Sequence, residues 1–355
     1  MKYNELISLC IRETKSVKSA MKQMDTTGYK ILFVVTENNK LIGTITDGDF
    51  RKWILLGKSL DENVLEVFNK NPIKFIEGHD LGEVKKTLVE YRIEAIPLVD
   101  ADEHLVDALF WEDTFGEKYR KVEKKLEVPV IIMAGGEGKR LDPFTKILPK
   151  PLIPIGDKPM IETIIDGFVK QGIDDFFVTL NFKGNMIKVY FDSVEKDYSI
   201  SYIWEDEFLG TAGSLRALPT EVGDTFIVSN CDILVKADYA DLIGFHEKNN
   251  NTLTVVGSIY HHTIPYGIIQ FAKEGKIENI QEKPELDFTV NTGVYVLSGD
   301  AVKSIPEGKR FDMTDLIQEL LRKNENVGVY PVSSSSYIDV GQLEEYKNHI
   351  KKLRF

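Results

Sequence analysis

The feature that most limits how this chain can fold is an internal repeat in its first third. The segment that starts at Lys30 matches, without a gap, the segment that starts at Glu94, 64 residues later. Each copy predicts a buried strand, a polar turn and a second strand, preceded by a helix with apolar residues at helical spacing. Those apolar residues are Val17, Ala20, Met21 and Met24 in one copy and Leu81, Val84, Leu88 and Tyr91 in the other. Two such copies predict a pseudo-symmetric pair that buries its apolar faces mutually.

Each copy ends in acidic residues, Asp47-Gly48-Asp49 in the first and Glu112-Asp113 in the second. In the first copy a glycine precedes the pattern Thr-x-x-Asp, in which Thr46 is the threonine and Asp49 is the aspartate. The pattern resembles the CBS-domain pair, a small cytoplasmic regulatory module that often binds adenosine nucleotides. The resemblance implies that Thr46 and Asp49 bond to ribose hydroxyls. The second copy has Asp107 and Phe110 in place of the glycine and the threonine, and only Asp113 remains. One nucleotide site at most is therefore expected, and a pair that only mediates dimer contact fits equally well.

Charge and composition exclude several classes of protein. The 355 residues include 44 Lys and Arg against 56 Asp and Glu, a formal net charge of −12. A chain this acidic has no electrostatic reason to collect on nucleic acid or anionic lipid. No run of about 18 apolar residues predicts a membrane span, and residues 1–15 do not resemble a secretory leader. Two cysteines, Cys10 and Cys231, are too few for a disulfide framework, and we expect a cytoplasmic protein.

A second domain follows the repeat. The charged stretch 116–125 ends the repeat region, which places the boundary near 122–127 and predicts domains over 1–122 and 128–355. An apolar strand begins at Val128, further strands are predicted at 176–180, 226–229, 253–259 and 294–297, and helices are predicted at 159–171 and 238–249. This alternation predicts an α/β domain with a largely parallel sheet and ligands at the carboxyl ends of the strands.

The loop after the first strand of this domain, residues 133–155, is rich in glycine and proline. A glycine-rich turn after a buried strand lets backbone N–H groups approach phosphate oxygens. Arg140 and Lys150 lie in the same loop, and two cations beside such a turn suit a triphosphate. The loop is not a Walker A motif, because the glycines are not followed by Gly-Lys-Ser/Thr. It is also too rich in proline for the helix that a dinucleotide fingerprint requires.

Residues 133–155 resemble the signature loop of the sugar-phosphate nucleotidyltransferases, and the resemblance extends over 128–355. Together with the CBS pair, the chain is similar to CBS-containing nucleotidyltransferases of bacterial surface-sugar pathways, including the glucosamine-1-phosphate guanylyltransferases of legionaminic acid biosynthesis. The resemblance implies a Rossmann-like α/β domain with a mixed sheet, preceded by an α+β CBS pair. It also implies that a sugar-1-phosphate oxygen attacks the α-phosphorus of a nucleoside triphosphate. Because this nucleophile is already an anion, catalysis needs positioning and charge neutralisation rather than a general base.

On the nucleotide side, the resemblance implies a role for each matching residue. Arg140 and Lys150 would be catalytic, Asp232 catalytic and a Mg²⁺ ligand, and Asp339 the second Mg²⁺ ligand. Mg²⁺ prefers one or two carboxylates plus phosphate oxygens, which suits this pair. A lone aspartate at a strand end is more often a turn or a helix cap, so the family context carries the metal prediction. The residues expected to contact the nucleotide are Ala134, Gly135, Gly136, Gly138, Gly210 and Thr211.

On the sugar side, four residues match family elements in the order that the family has them. Lys283 would hold the phosphate of the sugar-1-phosphate as a catalytic residue, and Glu282 would accept hydrogen bonds from sugar hydroxyls. Asn291 would bond to a hydroxyl, and the backbone at Gly267 would approach the sugar. Individually, each looks like a surface ion pair, a turn or a bulge glycine. Their order along the chain supplies the specificity.

The base preference depends on an acidic turn. Glu205 stands where uridylyl and thymidylyl relatives tend to carry glutamine, five residues before Gly210. A carboxylate only accepts hydrogen bonds, and guanine offers two adjacent donors where uracil and thymine offer one. Glu205 therefore favours GTP, although Asp206 or Glu207 could be the pairing residue, or the turn could simply be solvated.

The sequence thus favours an enzyme that uses GTP, Mg²⁺ and glucosamine-1-phosphate. The sugar rests on the resemblance alone, and mannose-1-phosphate or heptose-1-phosphate guanylyltransferase activity stays open. A different class of function is a catalytically silent subunit that senses nucleotides and regulates a partner. A homodimer or higher homo-oligomer is the usual outcome for paired modules of this type.

Overall fold

The computed structural model describes residues 3–78, 80–91, 93, 95–110 and 125–341. The chain divides into two compact units, Met1–Lys121 and Val122–Phe355. Asp113 lies outside the described residues. Within those residues, no helix is both long and apolar enough to cross a membrane.

The first unit is built from two small three-stranded sheets with flanking helices. The strands are β1 (Cys10–Arg12), β2 (Ile31–Val35), β3 (Leu41–Thr46), β4 (Phe75–Ile76), β5 (Ala95–Val99) and β6 (Leu105–Phe110). The helices are α1 (Tyr3–Ser8), α2 (Val17–Thr27), α3 (Asp47–Leu55) and α4 (Leu81–Tyr91), with a 3-10 turn at Val64–Glu66. The sheet orders are β1-β2-β3 and β4-β5-β6, so each sheet is a parallel pair extended by a hairpin.

The two sheets repeat one another in register. Val35 pairs with Leu41 across the first hairpin, and Val99 pairs with Leu105 at the same place in the second, each next to an irregularity in the pairing. The hairpin turns also bond to each other across a local pseudo-twofold axis. Leu41 donates its N–H to Glu103 O at 2.9 Å, and the equivalent Leu105 N–H donates to Asn39 O at 3.1 Å.

Most of the apolar residues predicted for the two repeat helices that the structure describes are buried. All four apolar residues predicted for the first helix are buried in α2. In α4, Val84 and Leu88 are buried, but Tyr91 is 60% exposed, so its predicted core position is wrong. Tyr91 is the last residue of α4, so the helical face that the spacing predicts ends there.

The second unit contains the longer elements. Its strands are β7 (Val130–Met133), β8 (Pro154–Ile155), β9 (Lys158–Pro159), β10 (Asp175–Leu180), β11 (Ser199–Trp204), β12 (Thr225–Asn230), β13 (Ile233–Val235), β14 (Leu253–Thr263), β15 (Ile268–Phe271), β16 (Ile277–Gln281), β17 (Glu285–Ser298), β18 (Val327–Val332) and β19 (Tyr337–Asp339). Its α-helices are α5 (Met160–Val169), α6 (Gly184–Ser193), α7 (Gly210–Gly213), α8 (Tyr239–Lys248), α9 (Gly299–Val302) and α10 (Met313–Arg322). Short 3-10 turns lie at Lys139–Leu141, Phe144–Lys146, Lys150–Leu152, Ser214–Ala217, Thr220–Val222, Lys273–Gly275 and Ser334–Ser336.

Seven strands form the central sheet, in the order β11-β10-β7-β12-β17-β14-β18. The first four are parallel, and their carboxyl ends share one edge. Four of the six neighbouring strand pairs are parallel, as the prediction of a largely parallel sheet requires. The exception is β17, which is antiparallel to both β12 and β14. The physical reason is the connection: the segment between β14 and β17 folds as the β15–β16 hairpin instead of crossing the sheet, so the chain returns in the opposite direction. The mixed sheet expected from the family resemblance is present.

Candidate functional site

The glycine-rich loop begins at the centre of the parallel half of the sheet. β7 lies between β10 and β12, and residues 130–134 are buried, so the start of the loop is fixed. The N–H of Ala134 donates to Thr179 Oγ at 3.2 Å, at the end of neighbouring β10. A Cβ on Gly135 would meet Glu205 Oε1 at 2.9 Å and Asn181 Cβ at 3.3 Å, whereas one on Gly136 would meet nothing within 4 Å. Gly135 is therefore enclosed, while the adjoining glycine faces open space.

Glu205 is held against the first glycine of this loop. Its carboxylate accepts the N–H of Leu209 at 3.3 Å, and its own carbonyl accepts Asn181 Nδ2 at 2.8 Å. Burial raises the pKa of Glu205, and the hydrogen bonds from Leu209 N–H and the Thr179 side chain offset part of that rise. The two other acidic residues of the turn, at 206 and 207, are exposed. Of the three carboxylates considered for base recognition, Glu205 is the buried one, and its Oε1 lies against Gly135.

The middle of the loop folds onto Lys150. Gly138 adopts a left-handed backbone with φ 69°, and a Cβ there would lie 2.7 Å from Lys150 Cβ and 3.0 Å from Thr145 Cγ2. A side chain at 138 would be both strained and blocked, so glycine lets the loop close on the lysine stem. Thr145 is buried and donates through Oγ1 to Asp142 Oδ1 at 2.6 Å. The stem of Lys150 is therefore held by close packing against Gly138, which in turn packs against Thr145.

Two predicted metal ligands meet at the edge of the sheet. Asp232 follows β12, and the next strand, β13, pairs with β19, in which Ile233 lies opposite Asp339. The N–H of Val340 donates to Asp232 O at 3.0 Å, which fixes the pairing beyond the strand end. A Cβ on Gly341 would lie 1.9 Å from Asp232 Oδ2 and 3.0 Å from Asp339 Oδ1. The two carboxylates therefore converge on a space that only glycine leaves free.

The ammonium of Lys150 joins this acidic pair by donating to Asp232 Oδ2. Both side chains are mostly buried, with 20% and 15% of their surfaces exposed. Burial by itself would lower the pKa of Lys150, but the surrounding negative charges, including Asp232 and Asp339, outweigh burial and raise it. The thiol of Cys231 contributes only in alkaline solution, because burial raises its pKa to about 12. Lys150 is accordingly a cation at neutral pH, seated beside two carboxylates.

These donors fit a magnesium ion by their chemistry. Two carboxylates at one edge of a sheet are the ligand number that Mg²⁺ takes when substrate phosphates and water complete its octahedron. The neighbouring Lys150 ammonium supplies a further positive charge for phosphate oxygens. Asp232 and Asp339 are thus the residues that would hold the ion, and the ion would neutralise phosphate charge there.

The sugar-side residues fall into two groups. A Cβ on Gly267 would lie 2.9 Å from Glu282 Oε2, so these two residues contact each other at the base of the β15–β16 hairpin. Lys283 is exposed and has a left-handed backbone with φ 46°. Asn291 lies on the central sheet, where its amide donates to Tyr295 Oη at 2.9 Å and accepts the N–H of Gly293 at 3.0 Å.

The Asn291 element also reaches the acidic pair. Gly293 has φ 87°, and a Cβ there would lie 2.5 Å from Asn230 Nδ2 and 3.5 Å from Ile233 Cγ1. Asn230 and Ile233 flank the turn that carries Asp232, so this part of the sugar side is in contact with the metal side. The contacts described for the Gly267–Glu282 pair stay within the hairpin region.

A family model described as "Nucleotidyl transferase" matches residues 129–354, almost the whole second unit. The chain belongs to the nucleotidyl transferase family. A CBS-domain model matches residues 7–56. The curated relatives include "Mannose-1-phosphate guanyltransferase" of Yarrowia lipolytica, 36% identical over 228 residues, which covers 61% of each chain. "UTP--glucose-1-phosphate uridylyltransferase" of Synechocystis is 28% identical over 246 residues, which covers 62% of each chain.

The chain spans about three fifths of the length of these curated relatives. Among solved structures, HddC from Yersinia pseudotuberculosis is matched over its full length and over 64% of this chain, with a TM-score of 0.51 and 24% identity. That match shows a shared fold. Together, the two family models and this shared fold confirm the expected class, a mixed α/β nucleotidyltransferase domain preceded by a CBS domain.

Gly210 and Thr211, two further predicted nucleotide contacts, pack against or bond to the segment that leads into α10. Gly210 has φ 84°, and a Cβ there would lie 2.6 Å from Phe311 O. The N–H of Thr211 donates to Asp312 Oδ1 at 3.0 Å, and its hydroxyl accepts the N–H of Met313 at 2.9 Å, so Thr211 secures the start of α10. Arg140 is exposed, and no hydrogen bond or ion pair joins it to the Lys150–Asp232–Asp339 cluster among residues 125–341. Direct nucleotide contact by Gly210, Thr211 and Arg140 stays a prediction.

In the first unit, the predicted ribose contacts form a helix cap. Thr46 Oγ1 donates to Asp49 Oδ2 at 2.7 Å, the Thr46 N–H donates to the same oxygen at 2.9 Å, and the Asp49 N–H donates back at 3.3 Å. This capping box begins α3. A Cβ on Gly43 would lie 2.3 Å from Asn69 O, so the preceding glycine admits a neighbouring backbone. A ribose that bonded to Thr46 and Asp49 would compete with the hydrogen bonds of this capping box.

Several residues that build the site were missed from the sequence. Asn181, Phe182 and Lys183 follow β10 directly and touch the glycine-rich loop, and Gly341 separates the two aspartates. One signal was available for the first group. Ligands gather where parallel strands end, and these three residues follow the strand next to β7. The role of Gly341 depends on the β13–β19 pairing, which no local pattern predicts.

Proposed function

We propose that the second unit transfers a nucleotidyl group from a nucleoside triphosphate to a sugar-1-phosphate and releases pyrophosphate. The observation that carries this proposal is the cluster of Lys150, Asp232 and Asp339 at the end of β12, beside the glycine-rich loop. The nucleotidyl transferase relatives act, by their names, on mannose-1-phosphate or glucose-1-phosphate. Both observations support the same reaction class.

In this reaction an oxygen of the sugar-1-phosphate forms a bond to the α-phosphorus, and the bond between the α-phosphorus and the bridging oxygen breaks. The electron pair leaves with pyrophosphate, so no proton transfer is needed to form the nucleophile. Backbone N–H groups at Gly135 and Gly136 would bind phosphate oxygens, and Lys150 and Arg140 would offset their charge. Bound Mg²⁺ would supply charge neutralisation and orientation of the phosphates at Asp232 and Asp339. Lys283 would bind the acceptor phosphate and bring it to the α-phosphorus.

We further propose that the base is guanine. An ionised carboxylate has about four acceptor positions, and Glu205 uses two of them for Leu209 N–H and the Thr179 hydroxyl. Two positions are then free for the adjacent N1–H and amine donors of guanine. The guanyltransferase name of the Yarrowia relative supports the same base, although the uridylyltransferase name of the Synechocystis relative supports another.

For the sugar we propose glucosamine-1-phosphate, which rests on the family resemblance and would place the product in nonulosonic or legionaminic acid biosynthesis. Mannose-1-phosphate is the second candidate, because it appears in the name of the Yarrowia relative. Heptose-1-phosphate is a third acceptor to compare. We propose that the protein works in the cytoplasm, where these substrates are present.

For the first unit we propose regulation by an adenosine nucleotide, or dimer contact, through the CBS pair. The Thr46–Asp49 capping box supports ligand-sensitive packing, because a ribose that bonds to either side chain would compete with the start of α3. The homo-oligomeric state is part of this proposal. Calorimetric titration with AMP and ATP, combined with light scattering, tests both parts.

The experiment that tests the whole proposal is a pyrophosphate-release assay with Mg²⁺. ATP, CTP, GTP and UTP are each combined with glucosamine-1-phosphate, mannose-1-phosphate, glucose-1-phosphate and a heptose-1-phosphate. We expect the highest kcat/KM with GTP and glucosamine-1-phosphate. A preference for mannose-1-phosphate would change the sugar and keep the reaction. No turnover with any pair, together with tight adenosine-nucleotide binding, would favour a silent regulatory subunit.

A further inference from the structure

The segment 181–183, directly after β10, contacts the glycine-rich loop at two places, near its beginning and in its middle. At the beginning of the loop, Asn181 Cβ lies 3.3 Å from the Cβ position of Gly135, and the N–H of Phe182 approaches Gly135 O at 3.4 Å. Further along the loop, Lys183 Nζ donates to Thr145 O at 3.0 Å and to Lys146 O at 2.8 Å. One three-residue segment thus fixes two places in the loop that are ten residues apart.

The two bonds from Lys183 close the short 3-10 turn at Phe144–Lys146. The carbonyls at the end of such a turn have no partner within it, and a lysine ammonium is a suitable donor for them. Lys183 has φ 53°, a left-handed backbone that is uncommon for a residue with a side chain. Its ammonium also lies 5.1 Å from the centre of the Phe182 ring, which favours the same position by a cation–π contact.

A continuous series of contacts leads from Lys183 to the catalytic lysine. Lys183 bonds to Thr145, the Thr145 methyl packs against Gly138, and Gly138 packs against the stem of Lys150. Lys150 in turn donates to Asp232. A shift of the 3-10 turn by a fraction of an ångström would therefore reach the ammonium of Lys150 through atoms that already touch.

We propose that Lys183 is a positioning residue that holds the glycine-rich loop in the conformation that binds the triphosphate. The inference rests on the proposed function, because the loop matters only if it binds a nucleotide. Lys183 acts through Thr145 and Lys146, since two of its three N–H donors are used for their carbonyls. Without this tether, the loop would have to be ordered by the nucleotide itself, and part of the binding free energy would be lost.

The test compares three variants. Lys183→Met keeps most of the stem and removes the donors, Lys183→Arg restores a cation with two or more donors, and Lys188→Met is the control. Lys188 lies on α6, which begins directly after Lys183; its side chain is partly exposed and pairs with Asp192, so its loss leaves the loop contacts intact. The measurements are hydrogen–deuterium exchange over 139–148 without substrate, GTP affinity by calorimetry, and KM and kcat with GTP and glucosamine-1-phosphate.

For Lys183→Met we expect exchange at 139–148 to rise by about tenfold, because two hydrogen bonds from a charged group are lost. We expect GTP affinity to fall and KM for GTP to rise by about tenfold, with KM for the sugar-1-phosphate unchanged. Lys183→Arg should recover most of the affinity, and Lys188→Met should match the unaltered protein in every measurement.

Unchanged exchange in Lys183→Met would overturn the tether. Faster exchange with unchanged GTP affinity and KM would overturn the positioning role, because the tether would then be purely structural. Failure of the unaltered protein to bind any nucleoside triphosphate would overturn the proposed function and the positioning role together. In that case the exchange measurement would still decide whether Lys183 restrains the loop.

Discussion

The nucleotide side and the sugar side of this nucleotidyl transferase unit are built in different ways. On the nucleotide side, Lys150, Asp232 and Glu205 are largely buried and joined to the glycine-rich loop by side-chain and backbone contacts. On the sugar side, Glu282 and Lys283 are exposed near a two-stranded hairpin. Under the proposed function, the triphosphate would meet a preformed site, whereas the acceptor phosphate would meet Glu282 and Lys283, which are exposed to solvent.

The difference has an energetic consequence. A buried cation between two carboxylates is costly to rearrange, since removal of any one charge leaves the others uncompensated. An exposed lysine carries little structural load, because surface charges contribute on the order of 0–1 kcal/mol to stability. Substitutions on the nucleotide side should therefore affect chemistry and packing together, and those on the exposed hairpin should affect acceptor binding alone.

The largest expected effect is that of Asp232→Asn, which tests whether the nucleotide side works as a charged unit. We expect turnover with GTP and Mg²⁺ to fall by at least about a hundredfold, because charge neutralisation at the phosphates contributes several kcal/mol. The protein should still fold, since asparagine has nearly the same shape and keeps one acceptor for Lys150, but Tm should fall because the buried Lys150 loses part of its charge compensation. Pyrophosphate release and thermal unfolding measure the two properties.

The matched control is Asp192→Asn on α6, whose exposed carboxylate pairs only with the neighbouring Lys188 in the ion pairs found for the described residues. It should leave turnover and Tm unchanged. Wild-type turnover in Asp232→Asn would refute the metal assignment and remove the basis of the contrast between the two sides.

The next effect concerns the exposed side. Lys283→Met should raise KM for the sugar-1-phosphate by about tenfold to a hundredfold, because a charge-assisted hydrogen bond to phosphate is lost. KM for GTP and Tm should stay the same, since Lys283 is exposed. Steady-state kinetics with each substrate varied in turn make the measurement. An equal rise of KM for both substrates would mean that the two sides are coupled in the bound state.

A smaller effect is expected from Gly341→Ala, which forces the two carboxylates apart. The added Cβ would lie 1.9 Å from Asp232 Oδ2, so that carboxylate must move. We expect the Mg²⁺ concentration for half-maximal activity to rise by about tenfold, because Mg²⁺ demands near-ideal geometry. Gly244→Ala is the control: nothing lies within 4 Å of its Cβ position in α8, and alanine favours a helix. A Mg²⁺ requirement that is unchanged in Gly341→Ala would contradict the convergence of the two aspartates.

The sequence predicted those parts of the fold that depend on local pattern. The 64-residue repeat, the apolar face of α2 and the buried strands β7, β10 and β12 are set by periodicity and by short-range turns. The direction of β17 was not predictable in this way, because it depends on whether the intervening segment crosses the sheet or folds back as a hairpin. The exposure of Tyr91 likewise depends on where α4 ends relative to the sheet.

From the sequence, the residues of the candidate site were easier to predict than the contacts that each of them makes. Lys150, Asp232 and Asp339 were singled out from motif context, and the structure brings the three together. The hydrogen bonds from Lys183 to the loop and the contact of Gly341 with Asp232 join segments 37 or more residues apart along the chain. Thr211 shows the opposite case, in which a matching motif residue bonds to the start of a distant helix.

The smallest expected effect concerns the nucleotide side, where the ionisation of Glu205 should change the affinity for GTP. Burial raises the pKa of this carboxyl. As the pH falls, Glu205 is therefore protonated at a higher pH than an ordinary glutamate, whose pKa is about 4.3. Since only the ionised form accepts both guanine donors, GTP affinity should weaken as the pH falls through this raised value and be complete above it. In Glu205→Gln we expect KM for GTP to rise severalfold, the preference over UTP to shrink, and this acid-side loss of affinity to disappear. KM for GTP and UTP measured from pH 5 to 8 in both proteins makes the test, and an identical pH profile in the two would exclude Glu205 as the residue that reads the base.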